Sequence, residues 1–310
     1  MYLASGALAA LAVLLAWPVP IALSRASWPS RAPGIALALW QAVALAGGLS
    51  MIGALLVYGL VPFGGELPAG VSVLLGHLFS GPLPADIGAT HIVAIGGALL
   101  LGTHLLLNLV DTAVRTERQR RRHHALVDLL SSPMPDRPDA RVLDHPAPVA
   151  YCLPGVRTIT VLSEGLIELL EPEQLHAVLA HERTHLRQYH HLVLLAFKAW
   201  DSALPWFPIA NRAEHAVTLL VEMLADDEAE REVDAYTLAT TIALVGSPWD
   251  GVGYARDGAA TIAADASTVN ARISRLLAPR KPLPALSRAL VLAVAVGLLT
   301  VPVVSLLLLL

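Results

Sequence analysis

A short motif of histidine and glutamate is the clearest chemical signal in the chain. Residues 181–185 read His-Glu-Arg-Thr-His and match the pattern H-E-x-x-H. Residues four apart lie on one face of a helix, so the imidazoles of His181 and His185 can reach one metal ion. The carboxylate of Glu182 is then placed to accept a proton from an attacking water. The motif predicts metal-assisted hydrolysis with one Zn2+ ion.

The elements predicted around the motif are those that this chemistry needs. Strands are predicted at residues 149–153 and 158–162, where they could offer an edge to an extended substrate. A short helix capped by Ser163 follows, and Glu171-Pro172-Glu173 opens the helix that carries the motif. A chance match is the alternative, since the chain contains 12 histidines. The mid-helix position and the neighbouring strands favour a functional motif.

A third metal ligand is expected downstream, because catalytic zinc usually has three protein ligands. The single cysteine, Cys152, excludes a cysteine-based zinc site. Glu222 is the preferred ligand, since it stands alone in the otherwise uncharged run 216–225, where an unpartnered carboxylate is costly. Asp226 lies four residues later and is predicted to hydrogen-bond a ligating histidine. The other candidates are Glu214, His215, Asp227, Glu228 and Glu230.

The composition indicates a membrane protein. Hydrophobic residues make up 55% of the chain and charged residues 15%, against about 45–50% and about 25% in soluble domains. The net charge of -4 and the short basic clusters argue against direct nucleic-acid binding. A cleaved signal peptide is the alternative for the first apolar stretch, but that stretch lacks a basic start. The four stretches long enough to span a bilayer are residues 2–23, 35–61, 92–110 and 289–310.

The charges that flank these spans predict an orientation. The loop 62–91 has no lysine or arginine, whereas basic clusters follow the third span and precede the fourth. By the positive-inside rule, both termini are expected to face outward and residues 112–288 to lie in the cytoplasm of a bacterial cell. The predicted organisation is three spans in 1–111, a basic helix and proline-rich linker in 112–148, a peptidase domain in 149–288 and a fourth span in 289–310.

Two features within this scheme allow more than one interpretation. Residues 192–210 are apolar but contain Lys198 and Asp201, so we expect a helix against the membrane or in the cytoplasmic domain, with a re-entrant hairpin as the alternative. His104, Asn108 and Asp111 share one face of the third span. Such a stripe forms hydrogen bonds between packed segments or, less commonly, a signalling or ion path.

Three segments of the chain resemble the BlaR/MecR-type membrane metallopeptidases. They are Tyr151-Cys152-Leu153-Pro154-Gly155, the run 177–186 around the motif, and Glu222-Met223-Leu224-Ala225-Asp226-Asp227. The resemblance implies a gluzincin domain in which His181, His185 and Glu222 bind zinc and Glu182 is catalytic. The stretch 271–276 is similar to a weaker pattern of HtpX/Ste24-like peptidases. No lysine has a serine three residues before it, so sensing of β-lactams by acylation is not expected.

The sequence thus predicts a mainly α-helical membrane protein with about four transmembrane helices and an α+β zincin-like domain. Its expected activity is regulatory proteolysis of a cytoplasmic protein, such as a transcriptional repressor. One alternative is an HtpX/Ste24-like quality-control peptidase. The other is a non-enzymatic membrane signalling protein with a vestigial metal site, although such a site has no use for Glu182. His190 and His191 follow the motif, either as stabilisers of an oxyanion or as supporting residues at a helix end.

Overall fold

The structure is a computed structural model and describes most of the chain in two compact units. The described residues are 1–64, 67–80, 87–134, 137–154, 158–204, 208–246, 266–278 and 281–307. We call the first unit the helical unit: Met1–Leu109, Trp200–Ala216 and Leu283–Leu310. We call the second the sheet unit: Val110–Ala199 and Val217–Pro282.

The described elements are mostly helices, joined by one small sheet. The helices are α1 (Tyr2–Ala16), α2 (Pro18–Arg25), α3 (Pro33–Leu60), α4 (Leu67–Ser80), α5 (Ala89–Leu130), α6 (Glu164–Leu169), α7 (Pro172–Arg187), α8 (His190–Ala203), α9 (Pro208–Ala229), α10 (Ala235–Val245), α11 (Ala266–Leu277) and α12 (Ala285–Leu307). The strands are β1 (Ser131–Met134), β2 (Arg137–Leu143), β3 (Ala150–Leu153) and β4 (Ile159–Ser163). The predicted mainly α-helical class with an α+β domain is confirmed, and the strands of that domain form a small mixed sheet.

Four helical segments are long and apolar enough to cross a membrane, as the sequence predicts. They are Tyr2–Arg25, Pro33–Phe63, Ala89–Leu130 and Ala285–Leu307. The helix α3 is the central one, with α1 and α12 packed against it. A cluster around Leu8, Val57 and Leu60 fills the space between α1 and α3. Leucines on the outer faces of α5 and α12, such as Leu100 and Leu290, are exposed, as they are in helices surrounded by lipid.

The end of α8 lies in the helical unit and packs against α3 and α5. The indole of Trp200 is so close to Gly48, near the middle of α3, that a Cβ built there would lie 3.0 Å from it. His104 Nε2 lies 3.0 Å from the carbonyl oxygen of Ala203, and Asn108 donates to Ser202 Oγ at 2.9 Å. The polar stripe on α5 therefore forms hydrogen bonds between packed segments. The helix expected within 192–210 is present as α8 up to Ala203, and Trp206 and Phe207 lie outside the described residues.

The sheet unit contains a mixed sheet of strand order β1-β2-β4-β3. The strands β2 and β4 are parallel, and the β1–β2 and β3–β4 pairs are antiparallel. Both strands predicted near the motif are present as β3 and β4, and in the part of the chain that the structure describes β3 is an edge strand. The helix α7 packs against β3 and α10, which places the motif beside the edge of the sheet.

Two segments differ from the sequence prediction. Residues 131–148, predicted as a linker, contain β1 and β2. Pro133 is tolerated there because β1 is an edge strand, where a missing N–H costs little, and Ala140 on β2 is buried beside β4. Residues 67–80, predicted as part of an outer loop, form α4, with Pro68 in its first turn. Apolar spacing in the sequence also predicts a helix at 259–277; residues 266–277 form α11, and residues 259–265 lie outside the described residues.

Candidate metal centre

The helix α7 holds the H-E-x-x-H motif and is well defined by local chemistry. A capping box formed by Glu171 and Gln174 satisfies the backbone at its start, and Pro172 occupies the first turn. The side chains of 177–180 are buried against the unit core. His181 and Glu182 are only 3% and 4% exposed. The packing of α7 therefore fixes both side chains before any metal binds.

Three donor atoms converge at the centre of the site. His181 Nε2 and His185 Nε2 are 3.2 Å apart. Glu222, on α9, brings Oε2 to 3.3 Å from His181 Nε2 and Oε1 to 3.5 Å from His185 Nε2. Tetrahedral zinc, with ligand bonds of about 2.0–2.2 Å, needs donor atoms about 3.3 Å apart. These three residues form a group that could hold a metal ion, and their donor chemistry and spacing fit zinc.

Asp226 lies behind His181, on the side away from the converging atoms. Its Oδ1 is 3.0 Å from His181 Nδ1, and its side chain is 1% exposed. A proton on Nδ1 of His181 can be donated to this carboxylate, which leaves Nε2 directed at Glu222 and His185. The structure thus brings His181, His185, Glu222 and Asp226 together, with Glu182 next to His181 on α7. The remaining sequence candidates, among them Asp227 and Glu228, are not in this group.

Arg272, on α11, joins the two acidic residues and was given no role by the sequence. Its Nε and Nη2 donate to the two oxygens of Asp226 at 2.8 and 2.6 Å, and its Nη1 donates to Glu222 Oε2 at 2.9 Å. The side chain is 1% exposed. A usable signal was its position in the chain: Val269, Arg272 and Leu276 follow helical spacing and are all buried. An arginine on an apolar helix face needs a buried acidic partner.

Glu182 is buried, and its surroundings shift the pKa of its carboxyl. Burial raises the pKa of its carboxyl to about 7, and the neighbouring Glu222 adds to this, whereas His181 and the backbone N–H of Cys152 on β3 stabilise the charged form. A carboxylate with a pKa near neutrality can both take up and release a proton. The thiol of Cys152 lies 3.3 Å from Thr160 Oγ1, consistent with a packing role for this cysteine.

The two histidines of the motif differ in electrostatics. Burial lowers the pKa of His181, but hydrogen bonds to Asp226 and Glu222 outweigh it and raise the value to about 9. Burial and the nearby charge of His181 lower the pKa of His185 to about 3. His181 therefore carries a second ring proton, on Nε2, in the metal-free centre, whereas His185 is neutral and carries one. A metal ion that binds Nε2 of His181 must displace that proton.

His190 is also part of the centre, and His191 is not. The Nδ1 atom of His190 lies 3.1 Å from His185 Nδ1, and its Nε2 lies 3.0 Å from Gln188 Oε1. Both ring nitrogens of His190 are thus engaged away from the three converging donors. This geometry favours the supporting role over oxyanion stabilisation. His191 contacts the ring of Tyr189, with centroids 6.2 Å apart.

The site combines an H-E-x-x-H motif on a helix with a third metal donor, the carboxylate of Glu222, beside the edge of a sheet. This is the arrangement of a metallopeptidase. Residues 113–237 match the model of peptidase family M48, and four apolar helices fit a multi-pass membrane protein. The matched segment contains every predicted site residue and ends before Arg272. This similarity supports a membrane-associated metallopeptidase. No curated protein and no solved structure matches the chain.

Proposed function

We propose that this protein is an integral membrane zinc endopeptidase. The observation that carries the proposal is the convergence of His181, His185 and Glu222 with Glu182 buried beside them. A structural zinc site is usually closed by four protein ligands, whereas three ligands leave a position open for chemistry. The three-donor group and the adjacent carboxylate support hydrolysis rather than a purely structural role for the metal.

His181, His185 and Glu222 would hold the zinc ion. When bound, zinc lowers the pKa of a coordinated water to about 7 and polarises the carbonyl that is attacked. Asp226 orients His181 through Nδ1, and Arg272 orients both Asp226 and Glu222. These contacts hold the donors in place without help from solvent, since Asp226 and Arg272 are each 1% exposed.

Glu182 is proposed as the general base and then the general acid. Its carboxylate accepts a proton from the attacking water and returns it to the amine of the departing peptide. The backbone N–H of Cys152 donates to this carboxylate, which holds it between α7 and the edge strand β3. An extended substrate that paired with the edge of β3 would lie beside the same carboxylate.

The substrate is proposed to be a cytoplasmic protein such as a transcriptional repressor, as the resemblance to BlaR/MecR-type proteins suggests. On this proposal the sheet unit faces the cytoplasm and both termini are extracytoplasmic. The alternative is an HtpX/Ste24-like peptidase that degrades damaged membrane proteins with the same residues. A repressor gene beside this gene would favour the first, and accumulation of misfolded membrane proteins after its deletion would favour the second.

The test is the variant Glu182→Gln in the full-length protein. The amide fills the same space but cannot take a proton, so we expect zinc content to stay at the wild-type level while casein cleavage is lost. Glu173→Gln, an exposed position on the same helix, is the matched control and should cleave casein normally. Wild-type cleavage by Glu182→Gln would refute the mechanism, and absence of zinc from the wild type would refute the metal assignment.

A further inference from the structure

A second chain of hydrogen bonds lies behind His185, on the side opposite the converging donors. It runs from His185 Nδ1 to His190 Nδ1 over 3.1 Å, and from His190 Nε2 to Gln188 Oε1 over 3.0 Å. His190 is 2% exposed, and its ring meets that of His185 edge-on at a centroid distance of 4.9 Å. A buried imidazole that engages both of its nitrogens is held in a single orientation.

Hydrogen-bond chemistry assigns every proton in this chain. His185 must present a bare Nε2 to bind a metal, so its proton lies on Nδ1. That proton can only be donated to His190 Nδ1, which must therefore be an acceptor. The remaining proton of neutral His190 is then on Nε2, from which it is donated to the amide oxygen of Gln188.

The backbone is shaped to deliver His190 to this position. The helix α7 ends at Arg187, and Tyr189 has a φ of 52°, the only positive φ of a non-glycine residue in the described part of the chain. Leu192 N–H then donates to the carbonyl of Tyr189 at 2.9 Å as α8 begins. A bulky residue seldom adopts left-handed geometry, so the surrounding contacts must hold it there. The chain thus reverses sharply after α7, and the first residue of α8 returns to His185.

We propose that His190 is a positioning residue, which accepts the Nδ1 proton of His185 and so aims the Nε2 lone pair of His185 at the metal. This inference rests on the proposed zinc peptidase function. His190 does for His185 what Asp226 does for His181, but with a neutral acceptor in place of a charged one. The two ligating histidines therefore donate to different acceptors: His181 to the carboxylate of Asp226 and His185 to the neutral imidazole of His190.

Two substitutions separate this role from simple packing. His190→Asn places an amide oxygen near the former Nδ1 and keeps an acceptor, although it removes volume. His190→Leu keeps much of the volume and removes the acceptor. A positioning role predicts that the leucine variant loses about 10–100-fold in zinc affinity, while the asparagine variant stays close to the wild type. A packing role predicts the opposite order, because the smaller polar side chain leaves a cavity.

The measurement is zinc affinity by chelator competition on the full-length protein in detergent, with the absorption spectrum of the cobalt-substituted protein as a second readout. We expect a changed cobalt spectrum in His190→Leu and a wild-type spectrum in His190→Asn. Gln188→Ala should have a smaller effect on affinity than His190→Leu, because Gln188 is exposed and water can replace its amide.

The outcomes distinguish this inference from the proposed function. If wild-type protein binds zinc and loses proteolysis in Glu182→Gln, while His190→Leu binds zinc as tightly as the wild type, the positioning role is refuted and the peptidase function stands. If the wild type binds no zinc, the peptidase proposal itself fails. Should the leucine variant not fold, the asparagine variant decides alone: loss of its zinc affinity refutes the role, and retention supports it.

Discussion

Removal of Arg272 should destabilise the sheet unit more than removal of Arg275, the other arginine on the same helix. The substitution Arg272→Met keeps most of the side-chain volume but deletes three charged hydrogen bonds to Asp226 and Glu222. Asp226 is 1% exposed, so its negative charge would stay buried after the substitution. It would keep its contact with His181 but lose both hydrogen bonds from the guanidinium. Breaking a buried ion pair by removing one partner costs about 3–5 kcal/mol.

The same helix offers a matched control. Arg275 Nη1 lies 2.6 Å from Asp227 Oδ1, but these side chains are 20% and 36% exposed. A pair open to solvent contributes about 0–1 kcal/mol, so Arg275→Met should be nearly neutral. In a domain of 150–250 residues about 1 kcal/mol shifts the melting temperature by about 2–4 °C. We therefore expect the melting temperature to fall by about 6–20 °C in Arg272→Met and by no more than about 4 °C in Arg275→Met.

The assay is thermal unfolding of full-length protein in detergent with excess chelator, which removes any contribution from bound metal. The double variant Arg272→Met/Asp226→Leu should melt above Arg272→Met, because it removes the unpaired buried carboxylate together with its partner. Equal melting temperatures for the Arg272 and Arg275 variants would contradict the reasoning. So would a double variant that is less stable than Arg272→Met.

Three further predictions concern the metal, the pH profile and the topology. Metal analysis should show that Glu222→Ala has lost most bound zinc, whereas Asp226→Asn should weaken zinc binding by about 10–100-fold. Full zinc occupancy in Glu222→Ala would show that another residue is the ligand, and His215 would be the next to test. The pKa of Glu182 is raised to about 7, so its base form is lost as the pH falls below that value. We therefore expect kcat/KM to drop about tenfold per pH unit below pH 7. A flat profile from pH 8 to 5.5, in protein that keeps its zinc, would exclude Glu182 as the base. A reporter active only outside the membrane should be silent when fused at Pro138 and active at Gly70, and the reverse pattern would invert the orientation.

The sequence predicted the elements whose signals are local. The helix α7 follows from a proline-led acidic start and apolar spacing, and its capping box is present as Glu171 and Gln174. Glu222 could be singled out because an isolated carboxylate in an apolar run needs a partner. The four spans depend only on length and apolar composition, which a linear sequence displays directly.

The sequence did not reveal features that depend on distant contacts. The sequence places Arg272 in a basic cluster near a span and in the stretch 271–276, but it does not show that this side chain is buried against Glu222, 50 residues earlier in the chain. The strand β2 was hidden in a proline-rich segment, since its pairing partner β4 follows only after β3. The sequence allows two roles for His190, because no glycine marks the turn at Tyr189 that directs the ring of His190.

The division of the sheet unit into two chain segments has a consequence for biosynthesis. The ribosome makes His181 and His185 before the segment Trp200–Ala216, which belongs to the helical unit, and makes Glu222, Asp226 and Arg272 after it. Folding during synthesis proceeds from the N-terminus, so the candidate metal ligands are incomplete until Glu222 has been made. The contacts of the metal centre can therefore form completely only after the chain has been synthesised through Arg272.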